Sequence, residues 1–78
     1  MSYDKKELQA YEAQQMRIHR IRIGLVSFKE IAKPVLDNKA MTYEQFLELN
    51  IAAQVSSDYN DSLTLNKLTV LYPVVSTL

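Results

Sequence analysis

Seventy-eight residues make a single domain, 1–78, near the lower size limit for independent folding, where a chain buries only about 60% of its unfolded surface. Cysteine is absent, which excludes a disulfide framework and a thiolate metal site and leaves packing and self-association as sources of stability. The net charge is zero, yet residues 1–39 hold eight Lys/Arg against five Asp/Glu and residues 40–78 hold one Lys against four Asp/Glu, so a basic half can meet an anionic ligand or the acidic half of a neighbour.

The first segment opens with a helix start: Asp4 and Glu7 have capping-box spacing, and Tyr3 and Leu8 occupy the positions of a hydrophobic staple. From Leu8, the apolar residues Tyr11, Ile18, Ile21, Leu25 and Phe28 recur at threes and fours, interrupted by Gln14 and Gln15, and Met16, Ile23 and Val26 widen the stripe. Pro34 withdraws a donor and biases Lys33 away from helical angles, so a long N-terminal helix is expected over 4–32. At 1.5 Å per residue it measures ~43 Å, longer than the ~23–30 Å expected of so small a domain, and part of it should protrude or pair with another copy. A rival reading makes residues 17–25 a strand, since they are β-branched and partly alternating. Gly24 inside this stretch either weakens the helix or marks a kink or a close backbone approach.

A second helix is expected over 43–56. Thr42 and Gln45 have capping-box spacing and Met41 and Phe46 the staple positions. The rows Tyr43, Leu47, Ile51, Val55 and Phe46, Leu49, Ala53 predict heavy burial. Residues 56–60 carry turn chemistry. The remainder, 62–78, reads as a C-terminal helix or an extended tail. Leu65, Leu68, Tyr72 and Val75 keep helical spacing after a cap at Asp61 or Ser62, Thr69 to Val75 favour a strand, and Pro73 ends or kinks a helix. The expected fold is all-α and homo-oligomeric. The apolar run from Val70 is too short to span a bilayer, which needs ~20 residues, and no apolar-rich run precedes Ile18, so no signal peptide, no membrane partner and a cytoplasmic location are expected.

Little in the chain can carry catalysis. One histidine and no cysteine leave little from which to assemble a nucleophile and base or a zinc cluster, and His19, between Arg17 and Arg20, reads as a partly exposed residue of a basic helix before a catalytic one, so a non-enzyme without cofactor or metal is expected. Glu44 and Glu48, about one turn apart, read as a solvated acidic face before a cation site. Asp58, Asn60, Ser62 and Thr64 alternate oxygen side chains as a calcium loop does, but Leu63 and Thr69 stand where that loop needs glycine and glutamate. A single glycine excludes a glycine-rich phosphate loop. The basic helix is more suggestive: Arg17 and Arg20 share one side, with Arg22 about a third of a turn away, and guanidinium groups grip phosphates while Tyr11 offers a stacking surface. Against this, a dedicated nucleic-acid binder is usually strongly basic. The residues Ser76, Thr77 and Leu78 fit the pattern that peptide-binding domains capture by strand addition.

The run Ser62, Leu63, Leu65, Lys67, Leu68 resembles the second-helix signature of phage anti-CBASS hairpin proteins, which absorb cyclic oligonucleotide signals as helical oligomers. The helix at 42–56, the aliphatic run after Leu68 and Pro73 depart from that pattern, so no binding residue is carried over. The expected function is that of a small interaction protein, a regulator, adaptor or inhibitor of phage-like type, acting on a larger protein partner. Its oligomer or partner interface is expected at Ile18, Ile21, Leu25, Phe28, Tyr72 and Val75. The alternative is an anion-binding helical module that sequesters a nucleotide signal or contacts nucleic acid through Arg17, Arg20, Arg22 and Tyr11.

Overall fold

The computed structural model describes residues 5–75; the capping and staple positions of Asp4 and Tyr3, and the Ser76–Leu78 pattern, lie outside them. Four helices follow in order: α1 (Lys5–Arg22), α2 (Phe28–Asn38), α3 (Tyr43–Ser56) and α4 (Tyr59–Leu71). Two short strands, β1 (Met41–Thr42) and β2 (Val74–Val75), pair in parallel, Met41 with Val74 and Thr42 with Val75. The mainly helical fold with packed helices is as the apolar periodicity predicts.

The single helix expected over 4–32 is instead two helices, and the break has a local cause. Gly24 has φ 83° and closes α1 in a Schellman motif: the Leu25 N–H donates to the Arg20 carbonyl at 2.9 Å and the Gly24 N–H to that of Ile21 at 3.1 Å. Three residues later Ser27 starts α2. Its hydroxyl accepts from the Glu30 N–H at 3.3 Å and its own N–H donates to the Glu30 carboxylate at 3.4 Å, a complete capping box. Stop and start signals thus lie inside an unbroken apolar stripe, because the stripe records which side is buried and not where the backbone turns. The second correction concerns Pro34, which lies inside α2 and not beyond its end. It leaves the Glu30 carbonyl without a helical N–H, on an exposed side of the helix where water can serve it. The strand reading of 17–25 fails with the same finding, since 17–22 are helical and the rest form the turn.

The second helix has the expected bounds, Tyr43–Ser56, and the expected cap. The Gln45 N–H donates to the Thr42 hydroxyl at 3.1 Å, and the Thr42 N–H to the Gln45 side chain at 2.9 Å. The C-terminal helix begins earlier than Ser62: Asp58 caps it by accepting from the Asn60 N–H at 2.9 Å. It ends at Leu71, because Tyr72 precedes Pro73 and takes non-helical angles (φ −128°, ψ 84°). The tail then turns into β2, which ties it to the entrance of α3.

Helix α3 is the hub: α1, α2, α4 and both strands pack on it. Its buried positions are Glu48, Leu49, Ala52 and Ala53, and the two alanines let neighbouring helices approach closely. Around Leu49 gather Ile21 from α1, Phe28, Ile31, Ala32 and Val35 from α2, Met41, and Leu65 and Leu68 from α4. The burial expected of α3 is one-sided: Leu47 and Ile51 are half-buried and Tyr43 and Val55 exposed. The molecule is elongated, 44 × 27 × 19 Å, with a radius of gyration of 13.4 Å against the ~11.5 Å that compactness scaling gives for this length. In α1, positions 8–13, 15 and 16 are exposed and Gln14 is half-buried, whereas Ile18 and Ile21 are buried. The amino-terminal half of α1 therefore projects, even though the helix is shorter than periodicity suggested.

Candidate interaction surface

The expected anion-binding residues do not converge. Arg17 donates through Nε at 3.1 Å and through Nη2 at 2.7 Å to Oε1 of Glu48. The Glu48 side chain is only 6% exposed, whereas that of Arg17 is 60% exposed, so this pair neutralises a buried carboxylate at the edge of the core. The hydrogen bond to Glu48, and then its charge, hold the Arg17 guanidinium above its ordinary pKa; burial opposes this and the charge of Glu44 adds to it. Arg20 shares with Arg17, Ile21, Val26 and Glu48 a crevice of about 90 Å³. Any phosphate entering it would compete with Glu48. Tyr11 is exposed, but at ~100° per residue it projects from the side of α1 opposite Arg20. Arg22 lies on the Tyr11 side, about three turns further along.

Of the residues expected at an interface, Ile18, Ile21 and Phe28 are buried within the chain itself. Leu25 is exposed in the turn after α1, where it follows the glycine that ends the helix. Tyr72 is half-buried against the core, and for Val75 only the backbone, paired with Thr42, is described. The oxygen-rich stretch from Asp58 to Thr64 is the cap and opening of α4. Among the described residues, no three His, Asp or Glu side chains come together in a way that could hold a metal ion. No helix among them is long and apolar enough to cross a membrane.

An uncovered apolar surface lies on the outer side of α4. Its inner row, Leu65 and Leu68, belongs to the core. On the outside, Tyr59, Leu63 and Val70 fall in line at spacings of four and seven, with Leu71 beside them, all exposed; Val70 reaches 80%. Lys67, also exposed, stands within this row, and the apolar surface about Lys67, Val70 and Leu71 forms a shallow depression with Asn66. Sequence reading passed over this surface because it assigned α4 one apolar row. The signal was the second one: a thirteen-residue helix with apolar residues on two opposite sides has only one that can face α3. Compared with protein-family models, with curated proteins and with solved structures, the chain matches none.

Proposed function

We propose that this chain is a non-catalytic interaction protein, a small regulator, adaptor or inhibitor that docks on a larger protein through the outer side of α4. The observation that carries this reading is the exposed row Tyr59, Leu63, Val70 with Leu71, on a helix whose opposite side is already buried. Aromatic and aliphatic side chains grouped at the centre of a contact supply most of its binding energy. Lys67 within the row favours a partner whose apolar groove carries an acidic residue. The alternative, phosphate recognition by the basic side of α1, has less support: Arg17 is engaged by Glu48 and Tyr11 stands apart from Arg20.

Affinity capture with the tagged full chain should retain a stoichiometric protein partner from a lysate of the source cells. Val70→Asp with Leu71→Asp should abolish that capture while leaving the chain folded, the thermal midpoint falling by no more than about 8 °C, because each exposed position contributes ~0.5 kcal/mol or less to folding. Retention of the same partner by the double variant removes α4 from the proposal.

A further inference from the structure

The turn that divides α1 from α2 keeps a register that a turn has no need to keep. Ile18, Ile21, Leu25, Phe28, Ala32 and Val35 recur at spacings of three, four, three, four and three, as the a and d positions of a heptad do, straight through residues 23–27. In a continuous helix all six would lie on one side. Five of them are buried, whereas Leu25, inside the turn, is 68% exposed. Local chemistry holds the turn: the Gly24 cap and the Ser27 capping box. The core grips it little, since a Cβ at Gly24 would meet nothing within 4 Å, Ile23, Leu25 and Ser27 are exposed, and only Val26 packs against the core. Moreover, α1 and α2 each pack on α3 and little on one another. Straightening the turn would therefore break few contacts between the two helices, but it would carry α1 off its own α3. The seat left there, with the Glu48 carboxylate at its edge, fits one segment, which is α1 itself with Ile18, Ile21 and Arg17.

We propose that this turn is a hinge with a second, straight form, in which Lys5–Asn38 is one helix of ~51 Å and α1 is exchanged between two copies of the chain. Each α3 then holds its own α2 and the α1 of the other copy, and Arg17 of one copy pairs with Glu48 of the other. These are the contacts that the single chain already makes, so the occupant of the vacated seat is a second α1. Pro34 is no obstacle, because it already lies within α2. The exchange is reciprocal and closes on a two-fold axis. That axis passes beside the two hinges, where the Leu25 side chains of the two copies cover one another. The bent form keeps Gly24 in its cap and the Ser27 box intact. The straight form makes residues 23–27 helical and covers Leu25, against a glycine in a helix interior and the entropy of association. The bent monomer therefore prevails in dilute solution and the exchanged dimer in concentrated solution. Passage between them is slow, because α1 must leave the core.

The test is the mass of the purified full chain by light scattering, with no partner present. Wild type should measure 9.0 kDa at micromolar concentration and, after incubation at millimolar concentration, yield a species of twice that mass. Gly24→Ala with Ser27→Ala removes both signals at exposed positions. It should tighten the dimer about a hundred-fold or more, and circular dichroism should show helix gained across the stretch between Arg22 and Phe28. Gly24→Ala alone leaves the Ser27 box in place and should keep the wild-type helix content. In dimers formed from a mixture of isotope-labelled and unlabelled double variant, nuclear Overhauser contacts between α1 and α3 should run from one chain to the other. Adding Leu25→Asp should weaken that dimer about ten-fold or more, while the same change in the wild type, at a side chain exposed in the monomer, should leave the chain folded. A wild type that stays at 9.0 kDa at millimolar concentration, a double variant that stays monomeric, a dimer whose α1–α3 contacts remain within one chain, or one indifferent to Leu25→Asp overturns the proposal.

Discussion

The two halves of α1 are one helix by hydrogen bonding and two different objects by packing. Its carboxyl half lays Ile18 and Ile21 against the core and anchors Arg17 on Glu48; its amino half carries Leu8, Tyr11 and Met16 in the open. Apolar residues recur in both halves, with Gln14 and Gln15 interrupting them between Tyr11 and Ile18, and periodicity alone does not fix which stretch is buried. What distinguishes them is whether α3 reaches that far. Helical stability comes mostly from tertiary packing, so the amino half should be the first part of the molecule to open, and any function that needs a displaceable helix has it available there.

The strongest way to break the contrast is to remove equal amounts of apolar side chain from each half. Ile21→Ala, at a position only 1% exposed, should cost ~2–5 kcal/mol through lost transfer energy and the cavity left behind. Leu8→Ala should cost less than ~0.5 kcal/mol when measured on the monomer, at concentrations below any self-association. Urea denaturation measures both. A domain of this size has only about 4–12 kcal/mol of stability to lose, so the first variant sits close to unfolding. Similar costs for the two would show that the amino half is covered within the monomer and would remove the contrast.

The Arg17–Glu48 pair sharpens the contrast by marking where the buried half begins. Removing the guanidinium in Arg17→Ala leaves a buried carboxylate with no counter-charge. Breaking such a pair in a fully buried site costs ~3–5 kcal/mol; here Arg17 is largely exposed and water can partly replace it, so ~1–3 kcal/mol is expected. Arg17→Met with Glu48→Leu should recover most of that loss, because an apolar pair of similar volume leaves no charge to desolvate. Failure of the double variant to recover would mean that the pair also fixes the angle at which α1 crosses α3.

These two sites also show what sequence could and could not disclose. Local chemistry was legible: Thr42 and Gln45 fix the start of α3 through contacts three residues apart, and both its bounds follow. Pro73 likewise ends α4, through the residue before it. What depends on distant chain was hidden. Arg17 and Glu48 are thirty-one positions apart, and nothing in either neighbourhood reveals that one is buried and the other covers it. The two-sided apolar pattern of α4 could have been read, yet which side meets α3 is decided by the whole packing. The division at Gly24 lies between these cases. Its signals, a glycine after a basic last turn and Ser-x-x-Glu next to it, are local and were outweighed by a periodicity that runs through the turn.

The smallest effect concerns that turn and its two counterparts. Three residues of the described chain have positive φ: Gly24 at 83°, Lys39 at 53° and Ser57 at 55°, each at the carboxyl end of a helix, and only the first is glycine. A Cβ at Gly24 would meet nothing within 4 Å, so Gly24→Ala should cost ~1 kcal/mol, from backbone strain alone. It should not fuse α1 and α2, because the Ser27 capping box independently sets the start of α2. Ser57→Gly relieves the same strain in the opposite sense and should stabilise by ~0.5–1 kcal/mol, reduced by the greater freedom of glycine in the unfolded chain. Both are measurable as opposite shifts of the thermal midpoint, ~4–8 °C per kcal/mol for a domain of this size. A gain in helical circular dichroism on Gly24→Ala would mean that the turn is held by glycine alone, and the boundary between the two regions would then belong to one residue and not to the pair of signals that flank it.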